Sequence, residues 1–125
     1  MCRILVVDDT EDNVFLLKTL LELEGYTVDT ACNGWDALHK IQATRPDIVL
    51  LDIIMPDMSG YSVTQRVRQD SNLSATSIIL VTSFSVLEAD EGLSKGADAF
   101  IQKPIDADQL IATVKRFCDR KSDSA

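Results

Sequence analysis

Apolar runs alternate with helix-like segments along the whole chain, and this alternation constrains the fold more than any other feature. The segments at 3–7, 48–51 and 76–83 each contain an unbroken run of apolar residues, which is typical of strands buried on both faces of a sheet. The segment TVDTA at 27–31 alternates apolar and polar residues and predicts a strand at a sheet edge. A short run at 98–101 completes five predicted strands.

Each predicted strand is followed by a segment with the spacing of an amphipathic helix. Five helices are predicted, at 13–24, 34–44, 61–70, 85–95 and 106–121. Because strands and helices alternate with short connections, the sequence predicts a single α/β domain. Its parallel sheet would carry helices on both faces.

Charge and hydropathy exclude several classes of protein. The chain has 125 residues and a formal net charge of −8, so it lacks the surplus of Lys and Arg that duplex binding requires. Its apolar runs have the length of strands and fall short of the roughly 20 residues of a membrane helix. The start MCRILVV has no extended apolar region or cleavage site of a signal peptide. We therefore expect a cytoplasmic protein that binds neither membrane nor nucleic acid through this chain.

The cysteines and the histidine argue against three further kinds of site. Cys2, Cys32 and Cys118 are odd in number and widely spaced, and His39 is the only histidine. This pattern disfavours a zinc site and a disulfide framework. It also gives little support to a nucleophile–histidine triad.

Polar side chains follow four of the predicted strands, at the carboxyl edge of the sheet where ligands collect in such folds. They are Asp8, Asp9, Asp52, Thr82 and Lys103. Taken singly, each has a simple structural explanation: the first two aspartates could cap a helix or close an Asx turn, Thr82 could end a strand, and Lys103 could be a solvated charge.

Taken together, the same residues indicate phosphoryl chemistry. Neighbouring carboxylates would repel one another unless a cation lay among them, and a few hard oxygen ligands suit Mg²⁺. A lysine and a threonine hydroxyl fit a phosphoryl group. The chain has no Gly-rich P-loop to hold a nucleotide, but a carboxylate can itself be the nucleophile and form an aspartyl phosphate.

Four motifs resemble those of the response regulator receiver (CheY-like) domain of two-component signalling. They are ILVVDD, PDIVLLDIIMPDMSG, IILVTS and GADAFIQKPI, and the resemblance covers residues 3–119. It implies a flavodoxin-like, doubly wound five-stranded parallel sheet in the order 2-1-3-4-5. We expect a receiver domain at 1–121 and a short polar tail at 122–125.

The resemblance also implies the chemical roles of the acidic residues. Asp52 would be the phosphoacceptor. Asp9, Asp52 and the backbone carbonyl of Ile54 would bind Mg²⁺ directly, and Asp8 would act mainly through water. The metal would offset the free-energy cost of burying a carboxylate at the end of a strand.

Further roles follow from the same resemblance. Thr82 and Lys103 would each contact a phosphoryl oxygen, and the Lys103–Pro104 peptide bond would be cis. Phe100 occupies the position of the switch aromatic, where the family frequently has tyrosine; it could equally be a core residue.

Two apolar residues near the expected phosphoryl group would affect its hydrolysis. In receivers the positions two past the phosphoacceptor and two past the threonine vary, and here they are Ile54 and Phe84. Neither side chain can orient a water for attack, so we expect slow self-dephosphorylation, unless both residues merely pack against loops.

The predicted function is that of a signalling module and not of an enzyme. A histidine kinase or phosphotransfer protein would phosphorylate Asp52, and the surface made by the fourth helix, fifth strand and fifth helix would then bind a partner or a second copy of the chain. The alternatives are a Mg²⁺-dependent phosphohydrolase with an aspartyl nucleophile, whose usual D-x-D motif the segment DDTED fits poorly, and a pseudo-receiver that is not phosphorylated.

Few residues follow the last predicted helix, so we expect no effector domain in this chain. A free-standing receiver and the amino-terminal part of a longer regulator both fit.

Overall fold

The computed structural model describes residues 2–82 and 96–123, without the side chains of residues 82 and 120–123. Its strands are β1 (Arg3–Val7), β2 (Thr27–Ala31), β3 (Ile48–Leu51), β4 (Ser77–Thr82) and β5 (Ala99–Gln102). The helices within the described residues are α1 (Glu11–Leu23), α2 (Gly34–Thr44), α3 (Gly60–Gln69) and the C-terminal helix (Ala107–Asp123), with a short 3₁₀ helix at Ser71–Leu73. The predicted helix at 85–95 and Phe84 lie outside the described residues.

The five strands form one parallel sheet in the order β2-β1-β3-β4-β5. This confirms the predicted fold class and strand order, and it places β2 at an edge as its alternating pattern indicates. β1 and β3 are neighbours near the middle of the sheet, with Val7 in register with Leu51. The residues that follow these two strands are therefore brought side by side.

Helix α1 begins earlier than the apolar spacing predicts. It starts at Glu11, and both Glu11 and Asp12 lie in its first turn. Acidic side chains are favourable there because the amino-terminal end of a helix carries partial positive charge.

Both faces of the sheet are buried. Alternate residues of β1 and β3 belong to two separate apolar clusters: Leu5, Val7, Val49 and Leu51 lie in one, and Ile4, Val6, Ile48 and Leu50 lie in the other. Full burial of each such side chain contributes about 1.5–3 kcal/mol. The two strands are therefore firmly held supports for the polar residues that follow them.

The expectation that the cysteines form no disulfide is wrong. Cys2 and Cys118 are joined by a disulfide with a Cα–Cα distance of 5.9 Å, across 116 residues of sequence. The start of the chain and the C-terminal helix carry these cysteines on the same side of the sheet, where both pack with one apolar cluster. Cysteine spacing alone holds no information about such long-range packing. Cys32 is a free, exposed cysteine.

No helix in the described part of the chain is both long and apolar enough to span a membrane.

Candidate functional site

Three carboxylates converge at the carboxyl ends of β1 and β3. One oxygen from each of Asp8, Asp9 and Asp52 lies within 4.8 Å of the others. The parallel pairing of the strands continues just past their ends, since the Asp52 N–H donates to the Val7 carbonyl at 3.0 Å. The predicted acidic cluster is thus a direct result of strand register.

The members of this cluster differ in their exposure to water. Asp8 and Asp52 are buried, with 2% and 7% of their surface exposed, whereas Asp9 is exposed. A buried carboxylate is unfavourable unless it is paired and hydrogen-bonded. The cluster therefore requires nearby positive charge.

Lys103 supplies part of that charge. Its Nζ donates to Asp8 Oδ2 at 3.0 Å and to Asp52 Oδ2 at 3.3 Å. The residue directly follows β5, whose last residue, Gln102, is in register with Thr82. The Lys103–Pro104 peptide bond is cis, as the resemblance implies. Lys103 thus reaches the carboxylates from β5, an edge strand that is separated from β3 by β4.

Electrostatics at the site depend on burial as well as on charge. Burial is the largest effect on Asp52 and raises its pKa; the charge of Asp8 raises it further, and Lys103 opposes both. Burial also disfavours the Lys103 ammonium, but the hydrogen bond to Asp8 and the charges of both carboxylates outweigh it, so the pKa of Lys103 is raised. Lys103 therefore remains protonated at neutral pH. The ionised form of Asp52 is disfavoured by burial, and further positive charge nearby would stabilise it.

Asp8 has the two roles that its sequence context left open. Its Oδ1 accepts a hydrogen bond from the Thr10 N–H at 2.9 Å, which is the Asx turn of the simple structural explanation. Its Oδ2 is the atom that contacts Lys103. One carboxylate therefore shapes the start of α1 and also belongs to the charged cluster.

The loop after Asp52 is held close to β3. Asp52 Oδ1 accepts from the Ile54 N–H at 3.3 Å, and the Gly60 N–H donates to the Ile53 carbonyl at 2.8 Å. A Cβ atom at Gly60 would lie 2.4 Å from the Asp52 carbonyl oxygen, so a larger residue would push the start of α3 away from the site. The Ile54 side chain is 54% exposed.

The remaining predicted residues are placed as follows. Phe100 is half-buried against the apolar cluster that packs with α2 and α3. Thr82 ends β4, but its side chain is outside the description, as is the whole of Phe84. The structure thus brings together Asp8, Asp9, Asp52 and Lys103 and leaves the threonine contact as a prediction.

The donor set fits a hard divalent cation. The three carboxylate oxygens are close enough to share one ion, and oxygen ligands of this kind are those that Mg²⁺ binds in proteins. With Lys103 as the only cation at hydrogen-bonding distance among the described residues, the cluster retains net negative charge that such an ion would neutralise.

The structure also shows a residue that sequence reasoning missed. Asp57, in the loop between β3 and α3, accepts hydrogen bonds at 2.9 Å from the backbone N–H groups of Gly34 and Trp35. The bond from Gly34 is the largest effect and lowers the pKa of Asp57. An acid in the segment MPDMSG was the only available signal, and nothing in the sequence shows that this loop meets the start of α2.

Comparisons with known proteins agree with this geometry. The family described as the response regulator receiver domain matches residues 4–115. Protein PilH of Pseudomonas aeruginosa is 36% identical over 116 residues, which are 91% of this chain and 95% of that protein. Response regulator PleD of Caulobacter vibrioides is 41% identical over 114 residues, which are 90% of this chain but only 25% of that protein.

A solved structure of a response regulator protein has the same fold as this chain. Response regulator protein TrrA of Thermotoga maritima, solved in complex with Mg²⁺-BeF, has a TM-score of 0.84 and 41% identity, covering 94% of this chain and 99% of that one. Receiver domains are signalling domains that are switched by phosphorylation. This chain belongs to the response regulator receiver domain family.

Proposed function

We propose that Asp52 is the phosphoacceptor and that a histidine kinase or a phosphotransfer protein supplies its phosphoryl group. The observation that carries this proposal is the contact of one lysine with two buried carboxylates: Lys103 Nζ lies 3.0 Å from Asp8 and 3.3 Å from Asp52. A purely structural ion pair needs one carboxylate. The additional carboxylates within 4.8 Å are explained by a site that also holds a cation.

The chain's own residues perform most of the chemistry by positioning. Because β3 is buried along its length, Asp52 is held at a fixed angle, and the Ile54 N–H and Lys103 Nζ each bind one of its oxygens. One Asp52 oxygen forms the new bond to phosphorus as the bond from phosphorus to the donor's histidine nitrogen breaks. Such loose phosphoryl transfer depends mainly on alignment and charge neutralisation.

Asp8, Asp9, Asp52 and the Ile54 carbonyl are the groups proposed to hold Mg²⁺, with Asp8 acting through water. When bound, the metal would neutralise charge on the carboxylates and on the phosphoryl oxygens. Lys103 would then exchange its contact with Asp52 for one with a phosphoryl oxygen while keeping its contact with Asp8.

Signal output is proposed to use β5 and the C-terminal helix, together with the predicted helix at 85–95. Phe100 lies on β5 and is half-buried, so a change in its packing could connect the site to this surface. If the domain exchanges between two conformations, Thr82 would bind the phosphoryl group better in one of them. Phosphorylation would then increase the population of that conformation. This surface would dock a protein partner or a second copy of the chain. Amide exchange with and without a phosphoryl mimic tests the coupling, and a change confined to the loops around Asp52 would refute it.

The lifetime of the phosphorylated state is proposed to be long. Ile54 is 54% exposed at two residues past Asp52, and its side chain has no polar group that could orient an attacking water. Phe84, at the corresponding position after Thr82, is proposed to act in the same way.

The decisive experiment is incubation with an acyl-phosphate donor and Mg²⁺, followed by intact mass measurement. A stable gain of one phosphoryl group is expected for the wild-type chain, and none for Asp52→Asn. Asp108→Asn is the matched control, since it makes the same substitution at an exposed residue of the C-terminal helix. Undiminished phosphate incorporation in Asp52→Asn would overturn the assignment. Continuous phosphate release would indicate a hydrolase, and no reaction of the wild type would indicate a pseudo-receiver.

A further inference from the structure

We infer that Asp57 is a positioning residue for the phosphoacceptor site: by binding the start of α2 it holds the loop that carries Ile54, and so it strengthens the binding of the divalent cation. The inference rests on the proposed function, because it concerns the same cation site. It assigns a role to a residue outside the acidic cluster, which among the described residues contains only Asp8, Asp9 and Asp52.

The contact joins two segments that are distant in sequence. Asp57 Oδ1 accepts from the Gly34 N–H and Oδ2 accepts from the Trp35 N–H, both at 2.9 Å. These are the first two N–H groups of α2, which have no partner within the helix. A carboxylate is favourable there because the amino-terminal end of a helix carries partial positive charge.

The helix already has a cap of its own. Asn33 Oδ1 accepts from the Asp36 N–H at 2.8 Å, which is the usual arrangement of an N-cap side chain. Asp57 therefore adds a second set of bonds at the same helix end, and these bonds come from the loop. Their distinctive consequence is on the loop side, where they add polar contacts to a segment that is otherwise held by the burial of Ile53 and Met55 in the apolar cluster.

That segment lies between Asp52 and α3. At its beginning, Asp52 Oδ1 accepts from the Ile54 N–H, and at its end the Gly60 N–H binds the Ile53 carbonyl. In the middle of the loop Met55 is buried in the apolar cluster, and the two hydrogen bonds of Asp57 join this part of the loop to the backbone of α2.

Close packing supports the same conclusion. A Cβ atom at Gly34 would lie 2.1 Å from Met58 Cγ, so the start of α2 and this loop lie against each other without space for a side chain. Removal of the Asp57 carboxylate would free the loop at this contact. The Ile54 carbonyl would then lose part of its fixed position, and restoring it when the cation binds would weaken binding.

Asp57→Ala and Asn33→Ala form a matched pair for the test. Both remove a side chain that caps α2, but only Asp57→Ala removes a contact with the loop. Mg²⁺ affinity is measured by following backbone amide signals in NMR spectra during titration with MgCl₂, and thermal midpoints are measured on the same samples. We expect Asp57→Ala to lower the affinity for Mg²⁺ about tenfold, which is the lower end of the range for residues that orient metal ligands. Asp57→Asn keeps one acceptor oxygen and should give an intermediate loss.

The outcomes separate this inference from the function on which it rests. If the wild-type chain shows no Mg²⁺-dependent shifts, the proposed cation site itself is wrong. If the wild type binds and Asp57→Ala binds equally well, or if Asn33→Ala loses as much affinity as Asp57→Ala, the positioning role is refuted. The positioning role is supported if both variants have lower thermal midpoints but only Asp57→Ala binds Mg²⁺ more weakly. If Asp57→Ala does not fold, the Mg²⁺ affinity and the thermal midpoint of Asp57→Asn are compared with those of Asn33→Ala and the wild type instead.

Discussion

Lys103 is the residue whose replacement tests the electrostatics of the site most directly. Its Nζ lies 3.0 Å from Asp8 Oδ2 and 3.3 Å from Asp52 Oδ2, and its side chain is 20% exposed. Lys103→Met keeps a side chain of similar length and removes the ammonium. Two buried carboxylates would then face each other without the cation that they share.

The expected loss of stability can be worked from these distances. At an effective dielectric constant of about 20, each of the two contacts attracts by about 5 kcal/mol. The cost of burying the ammonium offsets a large part of this, and removal of one partner from a buried ion pair costs about 3–5 kcal/mol. Because Asp9 leaves one side of the cluster open to water, we expect the lower end, a loss of about 3 kcal/mol in the free energy of unfolding at neutral pH.

The loss should depend on pH in a defined direction. The pKa of Asp52 is already raised above its ordinary value of 3.8 by burial, and removal of Lys103 raises it further. A raised pKa means that the folded chain binds more protons than the unfolded chain, so stability falls as pH rises from about 3.8 through the folded pKa. The pKa of Lys103 is itself raised from 10.5, so its own stabilising effect is complete below that pH. The difference between the variant and the wild type should therefore shrink in acid.

Urea unfolding followed by circular dichroism, with a chelator present, measures both effects at pH ~4 and ~7.5. Lys115→Met is the control, because it removes the same charge from an exposed position on the C-terminal helix and should change stability by less than about 0.5 kcal/mol. A loss in Lys103→Met below about 1 kcal/mol at neutral pH, the value of a surface ion pair, would refute the reasoning. So would an equal loss at both pH values.

Three further predictions concern the acidic cluster, the disulfide and the phosphorylated lifetime. Asp9→Ala should raise the thermal midpoint without metal, because it removes repulsion among the carboxylates; an equal or lower midpoint would count against a convergent cluster. Reduction of the Cys2–Cys118 bond, which closes 116 residues, should lower the free energy of unfolding by up to about 5 kcal/mol, and unchanged urea midpoints with reductant would contradict this. Ile54→Asn combined with Phe84→Glu should speed phosphate loss at saturating Mg²⁺, as followed by intact mass, and an unchanged rate would show that these side chains do not shield the site.

The acidic cluster is predictable from sequence because it depends on strand ends. Unbroken apolar runs mark where β1 and β3 stop, and the residue after each is an aspartate. In a parallel sheet all strands end at the same edge, so Asp8 and Asp52 need only neighbouring strands to meet. That the two strands are neighbours followed from the motifs that resemble receiver domains, since periodicity alone is the same for any strand order.

Other contacts were not predictable because they depend on how distant segments pack. The Cys2–Cys118 bond links the two ends of the described chain, and no spacing rule applies across 116 residues. Asp57 reaches α2 from a loop, and a single acid in the segment MPDMSG suggests nothing more than a solvated charge. In each case the chemistry of the residue is plain from the sequence, and its partner is known only from the fold.

The charges of the acidic cluster are not balanced by the described residues around it. Lys103 is bonded to Asp8 and Asp52 without metal, yet three carboxylates beside one ammonium leave an excess of two negative charges. A single divalent cation has the charge needed to balance that excess. A phosphoryl group on Asp52 would bring new negative oxygens, and Lys103 could follow them because lysine is a compact point charge on a flexible stem. The shorter bond to Asp8 would anchor the lysine while the longer bond to Asp52 is exchanged. The burial that makes Asp52 unfavourable as a bare carboxylate would thus make the site respond to a bound cation and, under the proposed function, to a phosphoryl group.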